Sequence, residues 1–177
     1  AKSDIIQLLL ERGADVNSKD MKGNTPLDKI CNRYSYFEDT SYLFEIVELL
    51  LKYGADVNSK NMIGWTPFMT ACSNLIDENT FELFMKYGAN VNSRNNDGWT
   101  PLMYACDERI YNVVELLLKY DANVNAENID LNTPLSIACK ENFTDIAKLL
   151  LENGADINIT NKDGNTPLII ACNNNFT

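Results

Sequence analysis

The sequence predicts an all-α chain of stacked helix-loop-helix units with a turn projecting between units, and three regularities predict it. The dipeptide Thr-Pro recurs at Thr25-Pro26, Thr66-Pro67, Thr100-Pro101, Thr133-Pro134 and Thr166-Pro167, at intervals of 41, 34, 33 and 33 residues. A second phrase, Gly-Ala-Asp/Asn-Val/Ile-Asn, begins at Gly13, Gly54, Gly88, Asp121 (in place of Gly) and Gly154, with the same intervals. From each phrase to the next Thr-Pro is always 12 residues, so all length variation falls between Thr-Pro and the following phrase. Self-similarity at a fixed period of this size marks a repeat architecture.

Each element follows in order along the chain. Residues 1–20 form a partial repeat, a second helix and turn, opening with the amphipathic run Ala1-Lys2-Ser3-Asp4-Ile5-Ile6. The repeat at 21–61 starts its first helix at Thr25-Pro26. The Thr hydroxyl caps an orphan amide, and Pro fits the first turn, where no amide donor is needed. Its second helix carries Ile46, Leu49, Leu50 and Tyr53 at i, i+3, i+4 and i+7, one helical face. Gly54 then supplies the left-handed residue that ends it. This repeat also carries 8 extra residues, an insertion near 32–43 with Tyr34, Tyr36, Phe37 and Tyr42 around Glu38 and Asp39. Those aromatics either fold back onto the local core or offer a second binding feature.

The repeat at 62–95 runs from Thr66-Pro67 to Gly88 in the same way. In the repeat at 96–128, Leu102 and Ala105 mark the first helix, and Val113, Leu116, Leu117 and Tyr120 mark the second. Leu135 and Ala138 repeat the first pattern at 129–161, and 162–177 supplies a turn and first helix. The 12-residue links are rich in Asn, Asp and Gly, a turn composition. One helix pair cannot bury both its faces, and stacking of neighbours closes the core; residues 1–177 are expected to form a single domain. Leu168, Ile169 and Ile170 occupy the last half-unit, where arrays usually finish in polar caps, which points to part of a longer array. Asp121 and Leu131 stand where the other repeats have Gly. Leu avoids the left-handed conformation at a cost of about 1–2 kcal/mol, so the turn at 128–132 is expected to differ in type from that at 95–99, or else to be strained.

These phrases resemble the ankyrin repeat, whose signature is Thr-Pro-Leu-His-x-Ala at a period of about 33 residues. Here it reads Thr-Pro-Phe-Met-Thr-Ala at 66–71, Thr-Pro-Leu-Met-Tyr-Ala at 100–105 and Thr-Pro-Leu-Ser-Ile-Ala at 133–138. The resemblance covers the whole chain and implies an ankyrin-repeat solenoid with projecting, β-hairpin-like turns. The family's His is replaced by Asp28, Met69, Met103, Ser136 and Ile169, so each repeat lacks the hydrogen bonds that His would make. The Asn that closes each phrase, at 17, 58, 92, 125 and 158, is expected to be buried and to hydrogen-bond within its turn. The phrase is also similar to the target of asparaginyl hydroxylases that modify ankyrin repeats.

Composition narrows the function. Histidine is absent, which removes Ser-His and Cys-His nucleophile pairs and His-Glu-x-x-His zinc sites. No phosphate-binding glycine loop is present, and neither cofactor nor metal is expected. A net charge of −10 repels a phosphate backbone, so nucleic acid is excluded as partner. No apolar run reaches the roughly 18 residues of a membrane span. Cys31, Cys72, Cys106, Cys139 and Cys172 recur at the repeat interval. Neighbouring helices pack about 8–10 Å apart, too far for a disulfide. They are read as small buried residues, reduced, in a reducing, cytoplasmic compartment. An effector delivered to a host cytosol would meet the same condition.

The resemblance implies a non-catalytic, monomeric interaction scaffold that binds a partner protein on a concave face of turns and first helices. By register the turn positions include Met62, Ile63, Trp65, Asn96, Asp97, Trp99, Ile129, Asp130 and Asn132, and the helix positions Tyr104, Asp107, Glu108, Lys140 and Glu141. Met62, Ile63, Trp65 and Trp99 give two adjacent turns an apolar character, and the acidic residues rim it. The implied ligand is a neutral or basic protein with an apolar anchor. Each Trp has a second reading, that it covers a neighbouring turn. The alternative function is the substrate-docking arm of a larger enzyme or secreted effector whose catalytic domain lies outside this chain.

Overall fold

A computed structural model describes residues 4–32, 41–74 and 76–173. They hold ten α-helices and no strand: α1 (Asp4–Glu11), α2 (Pro26–Cys31), α3 (Ser41–Lys52), α4 (Pro67–Cys72), α5 (Glu78–Lys86), α6 (Pro101–Asp107), α7 (Tyr111–Lys119), α8 (Pro134–Lys140), α9 (Thr144–Glu152) and α10 (Pro167–Asn173). The aromatic reading of the insertion falls outside the described residues.

Each Thr-Pro starts a helix by the chemistry its residues dictate. Thr25, Thr66, Thr100 and Thr133 are extended, and each hydroxyl accepts the amide three residues on. Thr166 does the same for Ile169. Two replacements of the family's His close the cap by their own means. The Asp28 carboxylate accepts the Thr25 amide at 2.8 Å and the Thr25 hydroxyl at 2.9 Å. The Ser136 hydroxyl accepts the Thr133 amide at 2.9 Å and donates to the Thr133 carbonyl. Met69 and Met103 are instead wholly buried.

Ser136 is satisfied where Asp28 is not: Asp28 is only 4% exposed, and its Oδ1 has no hydrogen-bond partner. Burial raises its carboxyl above the usual range, against the Thr25 hydrogen bonds that lower it. A raised folded pKa means the ionised form costs stability, so this cost is absent below the unfolded pKa of about 4 and grows as pH rises. Asp28→Ser should therefore gain on the native chain between pH 3 and pH 7 in urea unfolding. A difference in midpoint that does not change with pH would rule this out.

The chain forms two compact units, 1–90 and 91–177. In the first, α2 packs on α3 and on the next first helix, α4, while α3 packs on α5. Phe68 of α4 joins Phe81 and Phe84 of α5 at centroid distances of 5.3 and 5.7 Å. In the second, α6 pairs with α7 and α8 with α9, and the first helices stack as α6, α8, α10. Val113, Val114, Leu117, Ile146 and Leu150 are buried between them, as the helical periodicity requires.

Second helices end in left-handed residues: Gly13, Gly54, Gly88 and Gly154 have φ of 79–86°, and Asp121 takes 61°. The turn at 128–132 corrects the expectation of a different turn type. Its amide and carbonyl pairing, Asn128 to Asn132 and Leu131 to Asn128, repeats that of Asn95, Trp99 and Gly98, and Leu131 sits at φ 59°. Strain, the other expectation, is what the neighbouring bonds impose. Leu131→Gly should relieve about 1–2 kcal/mol and lose about 0.5–1 kcal/mol to chain entropy, a small net stabilisation. A lower urea midpoint would show instead that the partly exposed Leu side chain packs usefully.

The cysteines divide. Cys31, Cys72 and Cys106 are buried, Cys139 is partly so, and Cys172 is exposed, which corrects the reading of all five as buried. Burial pushes the first three thiols far above their ordinary range. In native protein a thiol reagent should modify Cys172 fast, Cys139 slowly and the others only on unfolding, with five equivalents released in denaturant. Fewer than five would reveal a bridge.

Candidate interaction surface

The turns are built by one repeated device. A single side-chain oxygen accepts two amides, those two and four residues ahead: Asn61 from Ile63 and Trp65, Asn95 from Asp97 and Trp99, Asn128 from Asp130 and Asn132, Asn161 from Asp163 and Asn165. Asp20 serves Lys22 and Asn24 likewise. With Lys29 at 2.6 Å, these bonds hold its carboxyl far below the usual range. Tips also bond to one another inside each unit: the Met62 amide to the Lys22 carbonyl, Ile129 to Asp97, and Lys162 to Asp130. The tips are thus hairpin-like, with backbone positions fixed before any ligand arrives.

A second set of bonds was not foreseen in the sequence. Asn17 donates to the Gly54 carbonyl at 3.0 Å and accepts the Asp56 amide at 2.8 Å. Asn58 does the same to Gly88 and Asn90, Asn92 to Asp121 and Asn123, and Asn125 to Gly154 and Asp156. These side chains therefore bridge to the next repeat rather than closing their own turn, and none is buried. Their constant place in the phrase was visible; the direction of their bonds was not.

The sequence-predicted residues fall as follows. In the first unit Met62 and Ile63 are 71% and 58% exposed, and Trp65 is partly exposed. In the second, Asn96, Asp97, Ile129 and Asp130 are exposed on turns, and Trp99 and Asn132 partly so. Along the first helices and their ends, Glu108, Lys140 and Glu141 are exposed, and Tyr104 and Asp107 are partly exposed. Trp99 stacks on Tyr104 of its own repeat, centroids 4.8 Å apart and rings 31° from parallel, and Asn95 Nδ2 donates to the Tyr104 hydroxyl at 3.0 Å. Lys140 pairs with Glu141 at 3.0 Å and Lys162 with Asp130 at 3.4 Å. Asp97, Asp107 and Glu108 make no ion pair among the described residues. Partial burial, then Glu141, raises the Asp107 carboxyl above its ordinary range, against Lys140, which lowers it.

Among the described residues no group of carboxylates and thiols is placed to hold a metal ion, and no helix is long and apolar enough to cross a membrane. No curated protein matches the chain. Family profiles described as ankyrin repeats (3 copies) and ankyrin repeats (many copies) match residues 40–128 and 116–171. Ankyrin repeats serve generally as protein–protein interaction modules and typically as non-catalytic scaffolds. With its capped helix pairs, its bonded turns and a family match over half its length, this chain belongs to the ankyrin-repeat family.

Proposed function

We propose that this chain is a non-catalytic scaffold that binds a neutral or basic partner protein through its turn tips and the outward sides of its first helices, in a reducing compartment. One observation carries the reading: Met62, Ile63 and, at 50% exposure, Ile129 stand exposed on tips whose backbone is already bonded to the neighbouring tip. Large apolar side chains held out on rigid backbone lose little entropy on binding and gain by desolvation. In the second unit the carboxylates of Asp97, Asp107 and Glu108 suit a partner of opposite charge and would speed its approach. Affinity for a purified partner should fall at least roughly tenfold in the double variant Trp65→Ala, Trp99→Ala, because buried Trp is prominent among residues that dominate interfaces. A change within about 1 kcal/mol would defeat the apolar anchor. Charge reversal at Asp97 or Glu108 should slow association and flatten its salt dependence.

A further inference from the structure

Within the second unit, an aromatic platform and two carboxylates lie along one edge of α6. Trp99 and Tyr104 stack at 4.8 Å, and the Asn95 amide holds the Tyr104 hydroxyl in place. Asp107 and Glu108 follow Tyr104 by three and four residues, the spacing that sets side chains on the same helical face one turn apart, about 5–6 Å between β-carbons. Neither carboxylate has an ion pair among the described residues. Of the nearby cations, Lys140 acts on Asp107. Lys140 sits on Glu141 at 3.0 Å, and Arg109 reaches Asp145 at 3.5 Å and lies over the Phe143 ring at 5.1 Å.

We infer that the Trp99–Tyr104 stack with Asp107 and Glu108 is a seat for one arginine side chain of a bound polypeptide. A guanidinium is planar, so it lies flat against an aromatic face while its edge donates to a carboxylate. An ammonium is compact and strongly hydrated and gains less from the ring. Asp107 already feels Lys140 as well as Glu141, so an incoming guanidinium would join a set of three carboxylates and one ammonium and be drawn by the excess negative charge. The inference rests on the binding face proposed above and names the chemistry recognised there.

Displayed random dodecapeptides selected on the intact chain provide the test. Selected peptides should share an arginine at a fixed position. Replacing it by citrulline should cost at least tenfold in affinity, and by lysine several-fold. Asp107→Asn with Glu108→Gln, surface changes that leave the fold intact by circular dichroism, should cost at least tenfold for the same peptides and nothing for their citrulline forms. Trp99→Leu should act in the same direction. Peptides that lack a shared arginine yet lose binding on Trp65→Ala or Asp97→Lys would overturn the seat and leave the binding face standing. Peptides indifferent to every turn and first-helix substitution would overturn both.

Discussion

Phe68→Ala is expected to destabilise the chain by about 3–5 kcal/mol, the range for emptying a fully buried aromatic site. Phe68, Phe81 and Phe84 are all wholly buried, and the edge-on and tilted contacts at 5.3 and 5.7 Å are lost together with the side chain's buried area. In a repeat protein stability is a sum of unit and neighbour terms, so the loss should concentrate in the unit that holds α4 and α5. Urea unfolding followed by Trp65 and by Trp99 fluorescence, each in a single-Trp background, should then show the Trp65 transition move to lower denaturant more than that of Trp99. Leu168→Ala supplies the contrast. Leu168 is 71% exposed, and its removal should change stability by no more than about 0.5 kcal/mol. Equal effects from the two substitutions would mean that the aromatic trio is not a core.

The second large effect belongs to the bridging asparagines. Asn58→Ala removes a bond to the Gly88 carbonyl and one from the Asn90 amide, both 2.9 Å. At about 0.5–1.5 kcal/mol net for each, the expected cost is about 1–3 kcal/mol. Water reaches this exposed site and holds the loss below that of a buried pair. Asn158 ends the series in the described residues, with only its own amide bonded, to Asp156. Asn158→Ala should therefore cost little. Amide hydrogen exchange gives the direct reading: the Asn90 amide should exchange faster in Asn58→Ala, and the Asp156 amide faster in Asn125→Ala but not in Asn158→Ala. If Asn58→Ala and Asn158→Ala lower stability equally, the bridge contributes nothing.

How much the sequence discloses depends on whether a residue's partner is near it in the chain. Thr100 and its capped amide at Met103 lie within one turn, so Thr-Pro revealed every first helix. Gly54 ends α3 through its own backbone freedom, and the helical period of Ile46, Leu49 and Leu50 needed no distant information. Asn58 is different, because its partners lie 30 and 32 residues away and nothing in the phrase says whether the side chain turns inward or across. Leu131 misled for a related reason. Its own preference opposes the left-handed region, while the bond between Asp130 and Lys162 and the double acceptor at Asn128 impose it. At the interaction surface, register placed Trp99 on a turn and Tyr104 on a helix. That the two rings stack follows from the angle between turn and helix, which no single residue encodes.

The bridging bonds also bear on where this chain tolerates additional length. The bridge from Asn17 to Gly54 closes a span of 37 residues, against 29 for the bridges from Asn92 and Asn125. Loop-closure entropy grows only with the logarithm of length, so this difference costs about 0.2 kcal/mol. Both ends of each bridge lie in the Gly-Ala-Asp-Val-Asn phrases, and the 12-residue link from phrase to Thr-Pro is invariant. Register between neighbours is therefore set by contacts that do not depend on the length of the helix-to-helix segment. Residues added between Thr-Pro and the next phrase change what the chain displays there while leaving the spacing of the stack alone. Residues added within the 12-residue link would pull the asparagine and its turn out of step with each other, and a single insertion there should disrupt both sets of bonds at once.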